Sequence, residues 1–359
     1  MKHTLRLAAL LLCGLFLPDR LFPQTVDLLF AGDLMQHQAQ IDAARMTSGY
    51  DYHACFARMK TEIGRADVAV ANLEVTLAGK PYRGYPQFSA PDEYLTAIKE
   101  AGFDVLLTAN NHCLDGGGKG LERTLCMLDS LHIDHLGTYR TAEERAQRHP
   151  LLVETKGMRI AFLNYTYGTN GLEVKSPQIV NYIDTALIKK DLRQARAMRP
   201  DAIIACMHWG LEYKNLPEAS TRRLARWLID QGVDHVIGSH PHVVQPMEVV
   251  TGKDGKRHLL VYSLGNYISN MSKIGTDGGL MVRLQLTKEH DATRMSHCAY
   301  SLVWTSRPVL SGKKQYEIYP AARPPEGMTE AEQQRLNRFV KESRKLFEKH
   351  NSGIKEYFF

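Results

Sequence analysis

An α/β fold is what this 359-residue sequence predicts, and three observations predict it. Short apolar, β-branched runs recur along the chain. Amphipathic stretches of helical spacing lie between them. Polar residues with chemical character follow directly on the runs. Strands alternating with helices are how a sheet covers its faces. Hydrophobic content of 44% and charged content of 23% are those of a folded chain, not a disordered one, and the length suffices to bury a core of native size.

In chain order, Lys2 and Arg6 precede the apolar run Leu7–Leu17, which Pro18 ends. That run is too short to span a bilayer comfortably and fits the apolar core of an export signal. Residues 1–25 are therefore expected to be a signal peptide or N-terminal anchor, and the protein to be exported: periplasmic, membrane-anchored or otherwise extracytoplasmic. Leu12 is a poor residue to precede a lipid-modified cysteine at Cys13. Loss of this segment removes Lys2, Arg6, Arg20 and Asp19 and lowers the formal charge from +6 to +4. With no dense Lys/Arg block beyond it, the chain carries no nucleic-acid footprint.

Buried strands are predicted at Val26–Ala31, Val68–Ala71, Val105–Ala109, Ile160–Tyr165, Ala202–Met207, His235–Ile237 and Leu259–Leu264. Helical spacing appears in Pro91–Ala101 (Leu95, Ile98), Gly120–Leu131 (Leu121, Leu125, Leu128), Thr185–Ala197 and Ser220–Gln231. Leu280–Leu286 and Ala299–Ser306 read as antiparallel strands closing a sheet. These place one domain over residues 26–310. Residues 311–359 read as a linker, marked by Pro320, Pro324 and Pro325, and a helix packed on the domain. Thr329 and Glu332 form its capping box, and Leu336, Phe339, Val340 and Phe347 its apolar stripe. Cys55, Cys113, Cys126, Cys206 and Cys298 show no C-x-x-C spacing, so each is expected to be a small buried apolar residue.

The chemistry sits after the strands. Asp33 follows the first, Asn72 and Glu74 the second, and Asn110-Asn111-His112 the third. His208, then His240-Pro241-His242, then Asn266 follow the later ones. In open α/β sheets ligands bind beyond the carboxyl ends of the strands, so these residues point to one site. Mixed imidazole and carboxylate donors suit manganese, zinc or iron. Asp33, Glu74, Asn111, His208, His240 and His242 are the expected ligands of one or two divalent ions. Each has a plainer reading: Asp33 as a turn cap, Glu74 as a surface carboxylate, Asn111 as a turn residue. Two imidazoles flanking a rigid proline are harder to read so. His37, His53, His132, His135, His149 and His258 lack this placement and are expected to be structural.

Taken together, Phe30-Ala-Gly-Asp33, Ala71-Asn-Leu-Glu74, Ala109-Asn-Asn-His-Cys-Leu-Asp115, His208-Trp-Gly-Leu-Glu-Tyr213, Gly238-Ser-His-Pro-His242 with Glu248, and Tyr262-Ser-Leu-Gly-Asn266 resemble the poly-γ-glutamate capsule-synthesis (CapA-like) family. That family looks like a branch of the calcineurin-like metallophosphatases. The resemblance implies a four-layer α/β/β/α sandwich with a two-metal centre at one sheet edge. It implies that Asp33 binds one metal, Glu74 bridges both, Asn111, His208, His240 and His242 complete the set, and His112 acts as general acid. Asn72, Glu212 and Asn266 are expected to meet substrate. Two positions depart from the superfamily: Met35 stands where a histidine is usual, and Glu74 where an aspartate is. The function implied is an exported, metal-dependent hydrolase-like protein of the capsule-synthesis type. It would act on an anionic cell-surface polymer, poly-γ-glutamate or related, or on a phosphoester. The alternative is a non-catalytic metal-binding component of a membrane-bound polyglutamate synthesis or export machine.

Overall fold

The computed structural model describes residues 23–290 and 292–359. The Lys2–Leu17 features read as an export signal lie outside them. Among the described residues, no helix is long and apolar enough to cross a membrane.

Two sheets form the centre. In the nine-stranded sheet, Gln24–Leu34 lies between Val68–Leu73, its parallel neighbour, and Gly278–Glu289, its antiparallel one. Val105–Leu107 and Asp134–Leu136 extend the parallel side, and Ala292–Ser306 and Glu317–Pro320 the antiparallel side. The six-stranded sheet runs in the order Met247–Thr251, Arg257–Val261, His235–Ser239, Ala202–His208, Met158–Thr166, Leu151–Thr155. Its inner four strands are parallel.

Two-residue alternation sorts the apolar side chains into layers. Val26, Leu28 and Phe30 face the second sheet, while Leu29 and Ala31 face outward. Ile160 and Phe162 return the inter-sheet contact, while Ala161 and Leu163 pack outward with Ile188, Leu192 and Leu228. Both faces of each sheet are covered, so the strands read as continuous apolar runs. Helices Asp92–Ala101 and Gly117–Ser130 bury Leu95, Ile98, Leu121, Leu125 and Leu128 against the first sheet. Thr185–Ala197, capped by the Asp184 carboxylate on the Leu187 N–H, and Ala219–Asp230 cover the second. The result is the expected α/β/β/α sandwich.

Three expectations change in detail. The third strand stops at Leu107, because the backbone and hydroxyl of Thr108 donate to Leu136 O and the Ala109 N–H donates to Asn164 Oδ1 on the other sheet, 2.8 Å away. The Leu259–Leu264 run leaves the second sheet after Val261 and crosses to the first, where Asn266–Ile268 pairs parallel with Gln24–Leu34. The segment read as linker contributes the strand Glu317–Pro320, and Lys355–Glu356 also pairs with Ala292–Ser306. The capping box at Thr329 and Glu332 opens helix Glu330–His350, whose Leu336, Phe339 and Phe347 are buried in the inter-sheet layer. Of the five cysteines among the described residues, all free, Cys126 is exposed.

Candidate metal centre

Backbone geometry at the strand ends gathers the polar residues. The register of Gln24–Leu34 shifts against Val68–Leu73 between Ala31 and Asp33, a bulge that re-aims the Asp33 side chain. The crossing segment passes so close that a Cβ on Gly32 would lie 2.0 Å from Gly265 O, and one on Gly238 2.1 Å from Tyr262 O. Both positions must therefore be glycine. His240 and His242 hold φ values of 104° and 58°, which L side chains rarely adopt. Such strain persists only where the surroundings enforce it, and it clusters at functional sites.

Asp33, Glu74, Asn111, His208, His240 and His242 are all brought to this place, and each is at most 3% exposed. Glu74, His208 and His240 can offer ligand atoms within 4.8 Å of one another, and so can Asp33, Glu74 and His242. Glu74 belongs to both groups, the position a bridging ligand occupies. Asn111 Oδ1 lies 2.7 Å from His208 Nε2, at the mouth of the first group. His242 Nδ1 faces Asn266 Oδ1 at 3.0 Å, which holds the imidazole with Nε2 toward Glu74 Oε1, 3.7 Å away. An outer partner of this kind fixes the tautomer of a ligating histidine.

The electrostatics explain why a cation fits. Burial, then the neighbouring Asp33, pushes the Glu74 carboxyl well above its usual range. Burial, then His240, pushes His208 well below its own, and burial, then His242, pushes His240 down to about 3. Among the site's own residues, three buried atoms have no hydrogen-bond partner: Asp33 Oδ2, Glu74 Oε1 and His240 Nδ1. Unpartnered buried acceptors are rare and costly, about 1–3 kcal/mol each. Asp33 and His240 belong to different ligand groups that share Glu74, so one dication in each group would satisfy all three atoms, and the mixed O/N donor set suits manganese, zinc or iron. The site's residues therefore fit a divalent ion.

His112 stands beside the cluster without joining either ligand group. Its Nδ1 lies 2.7 Å from Asp115 Oδ2, which also accepts the Phe88 N–H at 2.7 Å. A carboxylate can only accept, so Nδ1 carries the hydrogen and Nε2 is left for the site. Asn72 and Asn266, expected to meet substrate, are buried and hydrogen-bonded within the site. Asn72 Nδ2 donates to Asp33 Oδ1 at 2.8 Å and Glu74 Oε2 at 3.1 Å, and Asn266 Nδ2 donates to Thr276 O at 2.8 Å. Buried amides with such contacts brace the residues they bond. Glu212 alone of the three is exposed. Met35 is 1% exposed and packs in the outer core, so no side chain there reaches the ions' place.

Sequence reasoning passed over several neighbours. Tyr167 follows Met158–Thr166, a strand read from the sequence to which no polar residue had been assigned, and its ring lies 4.5 Å from that of His240. The strand-end rule applied there would have found it. Asp115 stands one helical turn beyond His112, a legible spacing. Ser239 Oγ, 3.2 Å from His208 Nδ1, had no such signal. His37 is half-buried, pushed down to about 4 by desolvation, and edges onto Phe88, which packs on His112.

Comparison with known proteins follows this geometry. Residues 27–271 match the family described as bacterial capsule synthesis protein PGA_cap. The capsule biosynthesis protein CapA of Bacillus anthracis is 28% identical over 252 residues, covering 66% of this chain and 58% of that protein. The PGA biosynthesis protein CapA of Bacillus subtilis is 30% identical over 198 residues, covering 55% and 50%. The chain thus spans little more than half the length of these relatives. Among solved structures, the NAD nucleotidase of Haemophilus influenzae superposes with a TM-score of 0.50 at 10% identity, covering 94% of this chain and 65% of that one. At that identity the likeness is one of fold.

Proposed function

The chain belongs to the bacterial capsule synthesis protein family, and from that premise we propose that it is an exported metal-dependent hydrolase acting on an anionic cell-surface polymer, poly-γ-glutamate or related, or on a phosphoester. The observation that carries this reading is Glu74, shared by two ligand groups whose buried Asp33 Oδ2, Glu74 Oε1 and His240 Nδ1 lack partners. Bound there, one or two divalent ions would polarise the scissile group and activate a water. Asp33, Glu74, Asn111, His208, His240 and His242 would hold them. Asn72 and Asn266 keep the carboxylates and His242 oriented. His112, its tautomer set by Asp115, presents Nε2 to protonate the leaving group. Glu212, which is exposed, would meet an uncharged part of the substrate.

A second reading has its own support. With Met35 buried in the core, the Asp33–Glu74–His242 group lacks a further donor from the first strand's end. A weakly held ion would suit a non-catalytic component of a membrane-bound polyglutamate synthesis machine, gripping an anionic chain. Metal content of the purified protein, measured beside hydrolysis of phosphodiester and γ-glutamyl substrates, separates the two. Metal with hydrolysis supports the first; metal without hydrolysis of either substrate supports the second.

A further inference from the structure

Beyond the ligands, the mouth of the site carries the exposed Tyr167, whose ring lies 4.5 Å from that of His240. One contact on it is built with more care than a rim requires. Lys273 Nζ lies 3.7 Å from the centre of the Tyr213 ring, and that ring lies 6.1 Å from the ring of His242. Tyr213 holds φ at 65°, with its N–H donating to Pro241 O at 2.8 Å, between the two site histidines. The ring is therefore fixed by the same turn that presents His240 and His242.

The loop carrying Lys273 is fixed as well. Three successive carbonyls are capped: Met271 O by Arg307 at 3.2 Å, Ser272 O by Arg335 at 3.0 Å, and Lys273 O by the Thr276 hydroxyl at 2.7 Å. Thr276 O in turn accepts from Asn266, the residue that orients His242. Lys273 is exposed, and these bonds fix the backbone from which its side chain extends. Seated on a ring face, the ammonium keeps hydrogens free to donate, and its recorded contact is with the ring and not with a carboxylate. Glu212, exposed beside Tyr213, carries the opposite charge and discourages an anion on its side of the mouth.

We propose that Lys273, held over Tyr213, is a specificity-determining residue that binds a second anionic group, carboxylate or phosphate, of a substrate whose first anionic group lies at the metal centre. The assignment rests on the metal-centre reading above and narrows its substrate class to molecules with two neighbouring anions.

The test is calorimetric binding to manganese-loaded protein, which needs no turnover. Phosphoglycolate supplies a phosphate and a carboxylate, 1,2-ethanediol diphosphate supplies two phosphates, and 2-hydroxyethyl phosphate has one anion only. Wild-type protein is expected to prefer at least one two-anion compound by about tenfold, the scale of a charge-assisted contact at an exposed site. Whichever is preferred identifies the second anion. Lys273→Met should bring that ratio to about one. Lys273→Arg should restore most of it, and Tyr213→Phe, which keeps the ring, should retain it. Equal binding of all three compounds by wild type, or a preference that survives Lys273→Met, overturns the assignment while leaving the metal centre standing. Binding of none by the loaded protein overturns the assignment as well, whereas failure to load manganese overturns the metal-centre reading, and the assignment falls with it.

Discussion

Two clusters of buried charge lie near the second sheet, and they are finished differently. Around Asp191, whose side chain is fully buried, every polar group has a partner. Arg145 reaches its carboxylate at 3.2 and 2.6 Å, Tyr165 donates at 2.8 Å, and His149 Nε2 lies 3.2 Å away. Asn181 accepts from Arg145 at 2.7 Å, and Tyr139 meets His149 at 2.9 Å. Around Glu74, by contrast, Asp33 Oδ2, Glu74 Oε1 and His240 Nδ1 have none. A satisfied network rigidifies a fold. An unsatisfied one, kept buried by strained histidines, waits for something to bind. The difference separates a satisfied cluster from an unsatisfied one without reference to any relative.

The largest expected effect is on chemistry. His112→Ala should lower hydrolysis by roughly 10²–10⁴-fold, the usual contribution of a general acid, with metal content unchanged. Loss of metal in this variant would mean that His112 is a ligand, and its assigned role would be wrong. Next comes the structural cluster. Arg145→Ala leaves the Asp191 carboxylate buried without its cation, which should cost about 3–5 kcal/mol in urea unfolding. Metal per folded molecule should stay the same, because no ligand is touched. Metal loss there would erase the distinction between the clusters.

A smaller effect is the pH dependence of unfolding, and here the two carboxylates have opposite signs. Burial alone would raise Asp191, but hydrogen bonds from His149 and Arg145 outweigh it and hold the carboxyl at about 2, below its ordinary 3.8. A depressed acid stabilises the fold above its unfolded value. Its contribution, on the order of 2 kcal/mol, is lost as pH falls from about 4 through about 2. Glu74 is raised by burial and by Asp33. Without metal its contribution is fully present below the unfolded value near 4.5 and is lost as pH rises toward the raised one. Metal takes the proton's place, so added manganese should flatten that loss at neutral pH. Urea midpoints from pH 2 to 8, with and without manganese, in wild type and Asp191→Asn, check both slopes. Equal slopes for the two carboxylates would refute the contrast.

Much of this was legible in the residues because strands buried on both faces are continuous apolar runs, and because chemistry follows strand ends. Phe30-Ala-Gly-Asp33 and Gly238-Ser-His-Pro-His242 announce both the element and the site. What escaped is set by tertiary contact. Nothing in Asn72 or Asn266 says that an amide will turn inward to brace a carboxylate or an imidazole. Nothing in the prolines after Tyr319 says that Glu317–Pro320 will find an open edge of Ala292–Ser306. The third strand's early end depends on Asn164, far along the chain, accepting from Ala109. His149 reads as structural in sequence and stands in the satisfied cluster.

The central claim is that the unpartnered cluster, and not merely the fold, holds a divalent ion through Glu74. The direct measurement is manganese-dependent thermal stabilisation of wild type beside Glu74→Gln, which keeps the side chain's shape and removes the charge shared by both ligand groups. Metal at a hundredfold over its dissociation constant should stabilise wild type by about 2.7 kcal/mol, while the variant should gain almost nothing and still unfold cooperatively. Equal stabilisation of both proteins, or none of either with manganese, zinc or iron(II), would contradict the account.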